Sequence, residues 1–120
     1  MPRILVVENE PDIRRLLVFV LERAGHEVAS AEHGAEALRH LRHLPPDLLL
    51  LDLERPVMDG RTLLAEMRRT AAWQDIPVVL VSVRPDTAAV AKELGAVGHL
   101  IKPIRSGELR DLVQRVTSTP

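Results

Sequence analysis

The sequence predicts an α/β fold in which five parallel strands form one sheet with helices on both faces. Five short apolar runs alternate with five amphipathic stretches, and strict βα alternation is typical of parallel strands joined by right-handed helical crossovers. Three of the runs are nearly continuous in Val, Ile and Leu, as expected for strands covered on both faces. The length of 120 residues suits a single domain over 1–120.

The five predicted strands share a short length and a high content of aliphatic residues. They are 3–7, 27–31, 47–51, 76–82 and 97–101. The first, third and fourth strands are the most apolar, so we place them at the centre of the sheet, and the milder second and fifth strands at its edges.

The first helix lies between Pro11 and Gly25, which are typical residues for the start and the end of a helix. Its predicted apolar stripe is Ile13, Leu16, Leu17, Val20, Leu21 and Ala24, and its predicted exposed residues are Arg14, Arg15, Glu22 and Arg23. Phe19, beside the stripe, is expected to pack against the sheet or the opposite helix.

Four further helices are predicted at 34–43, 60–70, 86–94 and 106–117. The fourth is rich in alanine and weakly anchored, so we expect it to shift most easily. Trp73 is expected to be a partly covered anchor of the loop before the fourth strand. The polar tail 117–120 is interpreted as a free end or the stump of a linker.

Composition excludes several classes of function. The formal net charge is −1, from 16 basic and 17 acidic residues, which gives no reason to expect nucleic acid or a membrane as a partner. The absence of cysteine rules out disulfides and thiolate chemistry. Acidic residues follow too soon after the start for a signal peptide, so a cytoplasmic location is expected.

Polar residues follow the strands at their carboxyl ends, where open α/β sheets bind ligands. They are Glu8, Asn9 and Glu10 after the first strand, Asp52 and Glu54 after the third, Ser82 at the end of the fourth, and Lys102 after the fifth. Carboxylates suit Mg²⁺, while a lysine and a hydroxyl suit a phosphoryl group. Asp52 could then act as a nucleophile that forms an aspartyl phosphate.

Four motifs in order resemble the receiver domain of bacterial response regulators over residues 3–116. They are "ILVVENEPDIRRLL", "PDLLLLDLERPVMDG", "IPVVLVS" and "LIKP". The resemblance implies a flavodoxin-like doubly wound fold with strand order 2-1-3-4-5. It also implies that Asp52 accepts a phosphoryl group from a histidine kinase or phosphotransfer protein, as a signalling domain and not as an enzyme in its own right.

The resemblance assigns roles to further residues. Mg²⁺ would be held by Glu8, Asn9, Asp52 and the backbone carbonyl of Glu54, and Lys102 and Ser82 would contact the phosphoryl group. Ser82 and His99 would form the switch, Glu54 and Arg84 would tune the phosphate lifetime, and the Lys102–Pro103 bond would be cis. The surface of the fourth helix, fifth strand and fifth helix would change on phosphorylation and could form a homodimer.

The departures from the family pattern keep a second hypothesis open. Asn9 is a neutral amide where the family has a metal-binding acid, so Glu8 and Asp52 bring a formal charge of −2 instead of −3. Val83 places β-branched bulk beside the site. The chain could therefore be an atypical receiver-like interaction module with weak or no phosphorylation. Glu8, Asn9 and Glu10 could also serve only to cap the first helix.

Overall fold

The fold is seen in a computed structural model that describes residues 2–53 and 60–118. Its strands are β1 (Arg3–Val7), β2 (Glu27–Ala31), β3 (Leu48–Asp52), β4 (Val78–Ser82) and β5 (Gly98–Ile101). Its helices are α1 (Pro11–Arg23), α2 (Gly34–His43), α3 (Gly60–Arg69), α4 (Thr87–Leu94) and α5 (Ser106–Thr117). No helix in these two ranges is long and apolar enough to cross a bilayer.

The five strands form one parallel sheet in the order β2-β1-β3-β4-β5, which confirms the predicted flavodoxin-like fold. The most apolar strands, β1, β3 and β4, lie in the centre, and β2 and β5 form the edges. The strand predicted to start at residue 76 starts at Val78. Pro77, just before it, has no N–H group to donate to a neighbouring strand.

Two apolar layers lie on opposite faces of the sheet because successive side chains of a strand point to opposite sides. In β1, Leu5 and Val7 face the layer that contains the buried residues of α2, α3 and α4. Ile4 and Val6 face the layer built with α1 and α5. The continuous apolar strands of the sequence are therefore explained by burial on both faces.

The structure corrects the prediction for α1. Leu17, Val20 and Leu21 are buried, but Leu16 is 48% exposed and Phe19 is 59% exposed, and Phe19 does not pack into either layer. The apolar stripe that reaches the sheet is narrower than the sequence pattern indicated. The guanidinium of Arg23 instead lies over the Phe19 ring, with Cζ of Arg23 5.7 Å from the ring centroid.

Two other predictions of burial were wrong. Ala24, placed on the apolar stripe, is exposed at the end of α1. Trp73 is only 9% exposed and belongs to the core layer of α2, α3 and α4, so it is more deeply buried than a loop anchor.

Substitution of neighbouring apolar residues of α1 should separate core from surface. We expect Leu17→Ala to lower the free energy of unfolding by about 2–5 kcal/mol, because it leaves a cavity against the sheet. Phe19→Ala should cost about 1 kcal/mol or less, since most of the ring is already in solvent. Urea denaturation measures both values, and equal losses would contradict the burial described here.

Candidate functional site

Four polar residues meet at the carboxyl end of the sheet. Glu8 directly follows β1, Asp52 ends β3, Ser82 ends β4 and Lys102 directly follows β5. Glu8 and Asp52 are each 1% exposed and Ser82 is 0% exposed, although all three are polar. The parallel order of the strands brings these residues together, as their positions in the sequence predicted.

The ammonium group of Lys102 lies between the two carboxylates. Its Nζ is 3.1 Å from Oε1 of Glu8 and 3.3 Å from Oδ2 of Asp52, to which it donates a hydrogen bond. Only 13% of the lysine side chain is exposed. Since two buried carboxylates face one ammonium, these three groups carry a net formal charge of −1 that favours a further cation.

Each oxygen of Glu8 has a different environment. Oε2 accepts a hydrogen bond of 3.1 Å from the backbone N–H of Glu10. Oε1 contacts the ammonium of Lys102, but it is buried and accepts no hydrogen bond from the part of the chain that the structure describes. One buried carboxylate oxygen therefore has capacity for another ligand.

Burial and the neighbouring carboxyl group of Asp52 raise the pKa of Glu8. For Lys102, burial opposes the charge, but Asp52 and Glu8 outweigh it and raise the pKa of the ammonium. The geometry thus favours the charged form of Lys102. It disfavours the charged form of Glu8, and a bound cation would offset that cost.

These donors fit a hard divalent cation such as Mg²⁺. Glu8 and Asp52 supply two carboxylates, and Oε1 of Glu8 accepts no hydrogen bond from the described residues. Asn9, which is exposed, directly follows Glu8. In the described ranges no cluster of three or more His, Cys, Asp or Glu residues could hold a metal. A cation here would need amide, carbonyl or water ligands as well. The predicted carbonyl ligand, Glu54, lies outside the described residues.

The loop after β4 is held by its own hydrogen bonds. Ser82 Oγ accepts a bond of 3.0 Å from the backbone N–H of Arg84, so its hydrogen can be donated elsewhere. Thr87, fully buried at the start of α4, donates from its hydroxyl to the carbonyl of Arg84 at 2.6 Å. Val83 is 55% exposed beside Ser82. The serine is thus linked through two bonds to the first residue of α4.

Arg84 and His99 were predicted to tune phosphate lifetime and switching. The guanidinium of Arg84 forms a two-point contact with Asp86, at 3.0 and 3.1 Å. A pairing of Arg84 with Glu54 lies outside the described residues. His99 is half-buried in β5, in register with Leu80. Its role remains a prediction.

Lys102 is held in place by its backbone. Its N–H donates to the carbonyl of Ser82 at 2.8 Å, which continues the pairing of β5 with β4. The peptide bond between Lys102 and Pro103 is cis. The Lys102 side chain reaches the two carboxylates from β5, at the edge of the sheet.

Gly60 allows α3 to begin directly against the end of β3. A methyl group added at Gly60 would lie 2.9 Å from Leu53 Cδ2 and 3.2 Å from the carbonyl oxygen of Asp52. The glycine eight residues after Asp52 in the sequence motif therefore has a steric reason. It lets the helix approach the backbone of the central carboxylate.

Arg14 was assigned to the exposed face of α1, and this was wrong. Only 17% of its side chain is exposed. Its Nη1 donates to the carbonyl oxygens of Glu8 and Asn9, at 2.9 and 3.3 Å. Helical periodicity could not reveal this contact, because the Arg14 side chain turns back over the preceding loop. The one relevant signal in the sequence was that Arg14 lies only one helical turn after Glu10, close enough to contact that loop.

Comparison with known proteins gives one consistent result. A family model for the response regulator receiver domain matches residues 4–114. The transcriptional regulatory protein BaeR of Escherichia coli O6:H1 is 39% identical over 117 residues, covering 96% of this chain and 46% of BaeR. The sensor histidine kinase TmoS of Ectopseudomonas mendocina is 37% identical over 119 residues, covering 98% of this chain and 12% of the kinase.

Solved structures agree. A putative response regulator from Chloroflexus aurantiacus superposes with a TM-score of 0.90 and 30% identity, covering 98% of both chains. The chemotaxis response regulator CheY4 of Vibrio cholerae gives a TM-score of 0.88 and 30% identity, covering 97% of this chain and 98% of that one. The chain spans about half the length of transcriptional regulators such as BaeR.

A methyl group at Gly60 should disturb the fold. We expect Gly60→Ala to lower the free energy of unfolding by about 1–3 kcal/mol, because the added carbon meets Leu53 and the backbone of Asp52. Gly107→Ala is the control, since its added carbon meets only Arg110 Nη2 at 3.8 Å. That change should be neutral or stabilising by up to about 1 kcal/mol. Equal urea stabilities of the two variants would contradict the close approach.

The raised pKa of Glu8 should make stability fall as pH rises. The native protein keeps the proton of Glu8 to higher pH than the unfolded chain, so stability declines from the ordinary carboxyl range up to the raised pKa. Glu8→Gln should lack this decline, and the control Glu22→Gln removes an exposed carboxyl group of α1. Urea unfolding from about pH 4 to pH 8 tests this; an unchanged slope in Glu8→Gln would refute it.

Proposed function

The chain belongs to the receiver-domain family of response regulators, and we propose that it acts as a phosphoacceptor switch in two-component signalling. In this proposal Asp52 receives a phosphoryl group from the phosphohistidine of a sensor kinase or phosphotransfer protein. The supporting observation is the Lys102 ammonium, which lies 3.3 Å from Asp52 and 3.1 Å from Glu8 at the carboxyl end of the sheet. The similarity to TmoS, itself a sensor histidine kinase, supports a kinase as the partner.

The proposed transfer is a displacement at phosphorus. A carboxylate oxygen of Asp52 forms a bond to phosphorus as the bond from phosphorus to the imidazole nitrogen breaks. The electron pair of the broken bond stays on the leaving nitrogen, which takes a proton from solvent unless the other ring nitrogen already carries one, and Asp52 becomes an acyl phosphate. Lys102 then contacts a phosphoryl oxygen, and the hydroxyl of Ser82 donates a hydrogen bond to another.

Mg²⁺ fits this proposal as a cofactor. Glu8 and Asp52 would hold it, with the side chain of Asn9 and the carbonyl of Glu54 as further ligands. When bound, it supplies positive charge that offsets the charge of the phosphoryl oxygens. Support comes from the buried oxygen of Glu8 that accepts no hydrogen bond from the described residues.

The proposed output begins at Ser82. If the Ser82 hydroxyl turns toward the phosphoryl group, the hydrogen bond that it accepts from the N–H of Arg84 changes. The carbonyl of Arg84 in turn accepts a hydrogen bond from the hydroxyl of Thr87. Helix α4 is short, at 8 residues, and its buried residues are Thr87, Val90 and Ala91. A modest contact at the phosphate could therefore bias the surface formed by α4, β5 and α5, with His99 as part of the switch. That surface is the proposed site of any homodimer.

A receiver-like interaction module without efficient phosphorylation is the second candidate. It is favoured by the existing contacts of Glu8 with Lys102 and Glu10, and by the neutral side chain of Asn9. Titration with Mg²⁺, followed by amide shifts around residue 52, discriminates the two. Millimolar or tighter binding favours the switch. Trp73 is a poor reporter, because it precedes β4 and so lies at the opposite end of the sheet.

Phosphorylation should depend on Asp52. Incubation with acetyl phosphate and Mg²⁺ should add one phosphoryl group to the wild type, as measured by intact mass. Asp52→Asn should gain none, because the attacking oxygen is lost. The control Asp75→Asn, at an exposed aspartate before β4, should be phosphorylated like the wild type. The proposal fails if the wild type gains no phosphoryl group or if Asp52→Asn gains as much.

A further inference from the structure

We propose that Arg14 is a positioning residue, which fixes the loop between β1 and α1 so that Glu8 and Asn9 present their side chains to the pocket. Its importance for metal binding and phosphorylation rests on the proposed function. Its effect on the loop does not, because the contacts that carry it exist in the metal-free protein.

The first observation is the double contact of Arg14 with the loop backbone. Nη1 donates to the carbonyl oxygens of Glu8 and Asn9, at 2.9 and 3.3 Å. The backbone N–H of Arg14 also donates to the carbonyl of Glu10, at 2.9 Å, as the first backbone hydrogen bond of α1, which does not depend on the side chain. Three successive carbonyl groups therefore accept hydrogen bonds from one residue. Few backbone paths of the loop satisfy all three bonds at once.

The second observation is an anchor on the next loop. Nη2 of Arg14 lies 3.5 Å from Oε1 of Glu32, which directly follows β2. The backbone N–H of Glu32 is in turn bonded to the side chain of Glu36 in α2, at 2.6 Å. The guanidinium thus joins the loops that follow two neighbouring strands. A planar group with several fixed donors suits this task, and an ammonium on a flexible stem does not.

The consequence concerns which oxygens the loop can offer to the pocket. The carbonyl oxygens of Glu8 and Asn9 each accept a bond from Arg14, which leaves their side-chain oxygens as the less occupied ligands for a cation. The same backbone path places the N–H of Glu10 against Oε2 of Glu8, which directs the carboxylate toward Lys102. Arg14 therefore acts on the pocket through the backbone of this loop.

Positioning and simple charge predict opposite results, which makes the idea testable. If Arg14 only added positive charge near the pocket, its removal would strengthen the binding of Mg²⁺. If it positions the loop, its removal weakens that binding. Arg14→Lys keeps the charge but loses the fork of donors, so positioning predicts weaker binding and charge alone predicts no change.

The experiment compares Arg14→Gln and Arg14→Lys with the wild type. Arg15→Gln is the matched control, because Arg15 is 76% exposed and its ion pair is with Asp12, within the same helix. In metal-free protein, hydrogen exchange of the Glu10 amide should be faster by about tenfold in both Arg14 variants. Mg²⁺ titration followed by amide shifts of residues 8–10 should show half-saturation at a concentration on the order of tenfold higher. The control should match the wild type in both measurements.

Two results would overturn the proposal. One is that the Glu10 amide exchanges at the wild-type rate in both Arg14 variants. The other is that Arg14→Gln binds Mg²⁺ more tightly than the wild type while Arg14→Lys binds it equally well. If Arg14→Gln does not fold, Arg14→Lys decides alone. If the wild type binds no Mg²⁺ and accepts no phosphoryl group, the proposed function fails, while exchange of the Glu10 amide still decides the role of Arg14.

Discussion

The ammonium of Lys102, held between the carboxylates of Glu8 and Asp52, is the interaction on which the site depends. Two carboxylates that are almost fully buried in an apolar sheet end would be very costly without it. One ammonium offsets only part of their charge. The residual negative charge favours a further cation, and in the proposed function that cation would offset the charge of an anionic phosphoryl group.

The parallel sheet makes this arrangement possible with little local sequence information. Glu8 precedes Asp52 by 44 residues and Lys102 follows Asp52 by 50, yet each lies at or directly after the carboxyl end of its strand. Burial places the most apolar strands at the centre of the sheet, and the observed strand order sets which strand ends are neighbours. A polar residue needs only the right position relative to its own strand to reach the site.

The same logic explains how much the sequence could predict. The strands and helices followed from apolar periodicity. The placement of Glu8, Asp52, Ser82 and Lys102 at one edge of the sheet followed from strand ends together with the strand order that the family resemblance implied. The exposure of Phe19 and the burial of Trp73 could not be predicted in this way. Both depend on how much of a helix or loop the neighbouring elements cover in the folded protein, which a local pattern does not contain. The contacts of Arg14 also escaped prediction, since periodicity assigns a residue to a face of its helix and cannot describe a long side chain that folds back over a loop.

The division of the core into two layers has a mechanical consequence. Helix α4 packs with α2 and α3 on one side of the sheet, whereas α1 and α5 pack on the other. The sheet lies between the two layers, so a displacement of α4 need not propagate into the packing of α1 against the opposite face. The face built on α1 can therefore keep a constant shape even where the packing of α4 changes.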